Sequence, residues 1–107
     1  MFGTPNKVQR DWREDVRALG SAISGQLPCE IHHAAGRTAK HDKVHIGHWW
    51  IIPLTQAEHD AVPTWAHGRK EREKYLFEWV CSKYQRIYRR SLPFGDDVLK
   101  AIREYRR

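Results

Sequence analysis

The chain has 107 residues, 40% of them hydrophobic and 30% charged, and carries a formal net charge of +6 from 19 Lys and Arg against 13 Asp and Glu. That composition fits one folded domain with a small core and excludes an extended disordered chain. No run approaches the roughly 18 apolar residues of a membrane span, Cys29 and Cys81 are too few for a disulfide framework, and a basic surface makes nucleic acid the first partner to consider.

In chain order, Thr4 can cap a helix with Pro5 in its first position. Val8, Trp12, Val16 and Leu19 then fall on one stripe, so a helix is expected over residues 5–19 with Trp12 in the core and Gly20 as its stop. Gln26-Leu27-Pro28 reads as a turn. Residues 29–33, with Ile31 between polar neighbours, read as a strand, and residues 34–47 as a long loop with few apolar positions. A second strand is expected over residues 49–54, with pairing ending at Pro53, which cannot donate to a ladder. Thr55 followed by Glu58 has the spacing of a capping box and opens a short helix carrying His59, which Pro63 ends.

Residues 70–90 carry the longest helical signal. Leu76, Phe77, Val80, Tyr84, Ile87 and Tyr88 share one face, and Arg and Lys interspersed with Glu71, Glu73 and Glu78 occupy the other. That basic face reads equally well as a nucleic-acid track or as an ordinary solvated surface. Ser91-Leu92-Pro93 breaks the helix, and Asp96 caps a last one over residues 96–106 with Val98, Leu99, Ile102 and Tyr105 inward. The expected fold class is α+β, with a small β-hairpin and short helix embedded among three longer α-helices, in a single domain spanning residues 1–107. No signal-peptide pattern opens the chain, and a cytoplasmic location is expected.

Every histidine except His67 lies in the stretch from Cys29 to His59: His32, His33, His41, His45, His48 and His59. Adjacent strand residues point to opposite faces. One member of the His32-His33 doublet can therefore face a metal shared with the following helix while its neighbour reaches a water from another side, and imidazole suits both tasks. Arg37, Lys40 and Lys43 in the intervening loop are candidates for holding phosphates. Asp42 is a possible further carboxylate, although loop acids are usually solvated. His41, His45 and His67 are expected to be exposed bystanders, and Cys29 a small buried residue.

The segment Cys29-Glu30-Ile31-His32-His33-Ala34-Ala35-Gly36-Arg37-Thr38, followed by His48-Trp49-Trp50-Ile51-Ile52-Pro53-Leu54 and then His59, resembles the paired motifs of HNH (ββα-metal) endonucleases, most closely the phage Ref type of RecA-dependent nucleases. The likeness covers residues 17–60, with the core motif at 29–60. It implies a phage-encoded, metal-dependent DNA endonuclease of low intrinsic sequence specificity. In that reading His33 is the general base, His32 and His59 are metal ligands, and His48 is a third ligand or an orienting group. One divalent ion (Mg, Mn, Ni or Zn) and DNA follow as cofactor and partner, and a RecA-type filament as a possible targeting partner. The cysteine pairs that hold a structural zinc in many HNH proteins have Ser21, Ser24, Thr55 and Glu58 at the corresponding positions, so no structural zinc is expected. A non-catalytic, zinc-stabilised DNA- or protein-binding module stays open as the alternative.

Overall fold

The computed structural model describes residues 4–65 and 67–106. Its elements are α1 (Lys7–Ala18), β1 (Glu30–His33), β2 (Lys40–His41), β3 (Val44–His45), β4 (Ile51–Leu54), α2 (Gln56–Ala61), a 3-10 turn (Val62–Thr64), α3 (Arg69–Tyr88) and α4 (Asp96–Glu104). The architecture is α+β: two separate two-stranded antiparallel sheets set among the helices. Among the described residues, no helix is long and apolar enough to cross a membrane.

The centre is β4, whose four residues are all buried. It pairs with β1 in the register Glu30↔Leu54, Ile31↔Pro53, His32↔Ile52 and His33↔Ile51. Pairing therefore continues past Pro53. The Pro53 carbonyl accepts from Ala22 N–H at 2.9 Å, so the nitrogen and carbonyl of residue 53 both face away from β1, and the ladder needs no donor there. Both α1 and α3 pack against β4, bringing Trp12 and Val16 from one side of the sequence and Leu76, Phe77, Val80 and Tyr84 from the other into one core. Trp12 is core as expected, and its indole N–H donates to the Trp49 carbonyl at 3.0 Å.

Several boundaries move for identifiable reasons. Asn6, rather than Thr4, caps α1: its side chain accepts from Gln9 N–H while Gln9 returns a bond to the Asn6 backbone. Val8 and Ile87, placed on apolar stripes by spacing alone, are exposed. Gly95, not Asp96, occupies the N-cap of α4, and Asp96 sits in its first turn. Thr55 and Glu58 do form a complete capping box on α2.

Residues 34–47 are not a plain loop. A small hairpin, β2–β3, pairs Lys40 with His45 and His41 with Val44. It turns on Asp42 and Lys43, both at positive φ, the backbone of a tight two-residue hairpin turn. Ala39 anchors the hairpin base by accepting from Ile46 and Gly47 N–H. Gly47 is required there, since a Cβ would lie 2.1 Å from the Arg37 carbonyl oxygen.

Candidate functional site

β1 carries the histidine doublet and β4 leads through Thr55 directly into α2, so His32 and His59 are delivered by two elements meeting at the β1–β4 pair. Their rings stand edge to face with centroids 5.3 Å apart. Strand alternation sends His33 elsewhere, and its ring lies 5.8 Å from that of His48. The doublet is thus split into two pairs, His32 with His59 and His33 with His48. His48, expected as a third ligand or as a group orienting the base, stands beside the predicted base. The physical reason is that β4 follows His48, so the residue enters on the His33 end of the ladder.

Each member of the first pair is held by its own carboxylate. His32 is buried, and its Nε2 lies 2.5 Å from Oε2 of Glu73, a residue with no exposed surface. His59 is partly exposed, with Nδ1 2.8 Å from Glu30 Oε1. A carboxylate accepts, so in the neutral rings the proton sits on His32 Nε2 and His59 Nδ1, leaving His32 Nδ1 and His59 Nε2 as lone-pair donors. Histidine ligands are commonly oriented by this device. Rings sharing one ion at ~2.0–2.1 Å have centres roughly 5 Å apart, so the donor set and the spacing fit a metal.

Glu73 extends this arrangement into α3. Its carboxylate also meets Lys70 Nζ at 3.1 Å and Arg69 Nε at 3.5 Å. Burial raises the Glu73 pKa, but the bonds from His32 and Lys70 outweigh it and hold the group below the usual carboxylate value. Lys70 in turn donates to the Ala34 carbonyl, tying the end of β1 to α3.

His33 borders an open cleft of about 670 Å³ that is also lined by Gly36, Gly68, Arg69, Lys70 and Tyr105. The N-terminus of α3 opens here at Gly68 without a side-chain cap, a setting that favours anions. Burial, then the nearby Arg37, His48, His32 and Arg13, push the His33 imidazole down to about 4. The ring is therefore neutral and able to accept a proton across the neutral pH range. Arg37, Lys40 and Lys43 are all exposed. Arg37 borders a smaller recess with His45 and His48, whereas Lys40 and Lys43 lie on the β2–β3 hairpin.

Ser21, Ser24, Thr55 and Glu58 also come together. Glu58 Oε1 accepts from Ser21 Oγ at 2.6 Å and from Thr55 N–H at 2.8 Å. Ser21 Oγ in turn accepts from the backbone N–H groups of Ile23 and Ser24, each at 3.0 Å. Burial raises the Glu58 pKa, and the bonds from Ser21, Thr55 and Ser24 bring it below the ordinary value. A charged hydrogen-bond cluster thus joins the turn after α1 to the start of α2.

Among the described residues, one group of three possible ligands has its donor atoms all within 4.8 Å of one another: His41, Asp42 and Glu104. His41 is half-buried in β2 rather than an exposed loop residue, while His45 and His67 are exposed and Cys29 is buried. Reasoning from sequence missed Glu73 and Glu30 as partners of the histidines, and Lys70 as a partner of Glu73. No protein-family model, curated protein or solved structure matches the chain.

Proposed function

We propose that the chain is a metal-dependent DNA endonuclease of the HNH type, hydrolysing phosphodiester bonds with little sequence specificity of its own. The observation that carries this reading is the His32–His59 pair, two rings from a strand and the following helix, each with one nitrogen on a carboxylate and the other available to an ion. His32 and His59 would hold one divalent cation, which supplies Lewis-acid stabilisation of the phosphate and of the leaving oxygen. His48 supports the neighbouring base instead of the ion.

His33 takes a proton from the attacking water as the water oxygen bonds to phosphorus. The P–O bond to the leaving group then breaks, and the released oxygen is protonated by solvent. The depressed basicity of His33 keeps its ring in the accepting form. Arg69 lines the cleft that His33 borders, Arg37 lies near enough to act on the ring's basicity, and both suit phosphate oxygens. Lys40 and Lys43 extend the positive surface along the hairpin, and a substrate held through phosphates needs no base-reading helix. Targeting by a RecA-type recombinase filament belongs to the same proposal and rests on the motif resemblance alone.

The test is plasmid nicking with Mg2+, Mn2+, Ni2+ or Zn2+ by the full chain, His33→Ala and His59→Ala. Nicking by the native chain that both substitutions abolish is the expected result. Equal nicking by the native chain and His33→Ala overturns the role of His33, and absence of nicking with every ion overturns the reading as an endonuclease.

A further inference from the structure

Outside the two histidine pairs, α4 packs against both strands of the β2–β3 hairpin. His41 and Asp42 at the hairpin turn meet Glu104 from the last turn of α4. We propose that these three side chains form a binding site for a divalent transition-metal ion of the zinc class, independent of the reading of His32, His33 and His59.

The distances favour an ion over direct hydrogen bonds. His41 Nε2 lies 3.6 Å from Asp42 Oδ2 and 3.5 Å from Glu104 Oε1. N–H···O bonds in proteins span ~2.7–3.2 Å, so both separations are too long for one. Donors sharing a tetrahedral ion at ~2.0–2.1 Å lie roughly 3.3 Å apart, close to what is observed. All three donor atoms fall within 4.8 Å of one another.

The chemistry of the donors narrows the ion. One imidazole with two carboxylates suits Zn2+, Co2+ or Ni2+, whereas Ca2+ and Mg2+ take oxygen shells. Asp42 is 81% and Glu104 45% exposed at the side chain, which leaves a solvent side where water can complete the shell. His41 is held from below, its ring edge to face with Tyr105 at 6.4 Å, and β2 is fixed by its register with β3. Two ligands on the hairpin and one on α4 make the ion a cross-link between elements distant in sequence. Asp97 and Lys100 line the recess on one side of the cluster, and Lys40 and Arg106 the recess on the other. Those three cations weaken the site without filling it. The competing arrangement is a protonated His41 bridging the two carboxylates, and that arrangement binds no metal.

The experiment uses full-length His59→Ala, which breaks the His32–His59 pair, stripped with chelator and titrated with Co2+ under visible absorption, then with competing Zn2+. The expected result is one equivalent bound, with affinity lowered at least ~10-fold, the lesser loss seen for an outer-shell partner, when His41→Ala or Glu104→Gln is added. In the native chain, paramagnetic Co2+ shifts the NMR signals of the His41 ring, and His41→Ala leaves plasmid nicking at the native level. No binding by His59→Ala, binding insensitive to both added substitutions, or unshifted His41 signals each overturns the site. None of those results bears on nicking, which tests the other reading separately.

Discussion

Replacing Glu73 by Gln measures how far a buried charge holds His32 in place. The native carboxylate has no exposed surface and faces His32 Nε2 at 2.5 Å, Lys70 Nζ at 3.1 Å and Arg69 Nε at 3.5 Å. Gln keeps the shape and one acceptor but removes the charge. A charge-assisted bond contributing ~1.5–3 kcal/mol then becomes a neutral one of ~0.5–1.5 kcal/mol, and Lys70 loses its closest counter-charge. The expected loss is about 2 kcal/mol at pH 7, which for a domain near this size lowers Tm by ~8–15 °C. Glu73→Ala, which leaves the ring and both cations unmatched, costs ~3–5 kcal/mol. The pH dependence has a definite sign. The folded pKa of Glu73 lies below the ordinary glutamate value of 4.5, so the charge contributes fully above about 4.5 and its contribution is lost as pH falls through the folded value. Urea unfolding followed by tryptophan fluorescence at pH 7 and pH 3 should show a gap between native and Gln chains that narrows in acid. Equal midpoints at pH 7, or a gap undiminished at pH 3, would refute the account of Glu73 as an ionised anchor.

Three further substitutions probe the rest of the site. In metal-free protein, burial and the neighbouring cations push the His33 imidazole down to about 4 from the ordinary 6.5. The stability it favours is therefore complete above pH 6.5 and lost as pH falls toward 4, by up to about 3 kcal/mol at ~1.4 kcal/mol per unit; His33→Gln should lack that slope, and parallel pH curves would contradict the shift. Ser21→Ala removes the acceptor for two backbone N–H groups and a donor to Glu58. It should cost ~1–3 kcal/mol in denaturant unfolding, and a loss below ~0.5 kcal/mol would show that the cluster joining α1 to α2 contributes little. Replacing Arg37, Lys40 and Lys43 together by Ala should reduce the salt slope of DNA binding by roughly three, at ~0.9 per phosphate contact. An unchanged slope would move the DNA track off this surface.

The parts of the fold legible from sequence are those decided by local chemistry. The Thr55/Glu58 capping box and the stripe around Trp12 and Val16 need only neighbours three or four positions away, and each takes its expected form, whereas the strand into Leu54 is shorter than expected and pairs past Pro53. What was hidden depends on partners far along the chain. The β2–β3 hairpin turns on Asp42-Lys43, which lacks the Asn-Gly or Asp-Gly signature of its turn class, and its strands are held by α4 and the 46–47 backbone. Val8 and Ile87 carry correct helical spacing yet are exposed. At the candidate site, period-two alternation correctly separates His32 from His33. It cannot say which distant histidine joins which, and so it leaves both roles of His48, ligand or orienting group, open.

Glu73 is the instructive case, because a signal for it was present. It lies three residues before Leu76, four before Phe77 and seven before Val80, so the apolar face of α3 continues through it by one more turn. Reading it as one of several surface glutamates used its charge and ignored its position. A carboxylate on a buried helical stripe is costly unless something nearby satisfies it, and Lys70, three residues earlier, supplies only one side. The remaining partner had to come from another element as a proton donor able to reach the core. In this chain β1 offers His32, its one buried residue, for that task, so the position of Glu73 on the stripe and the histidine doublet together point to the pair that the structure contains.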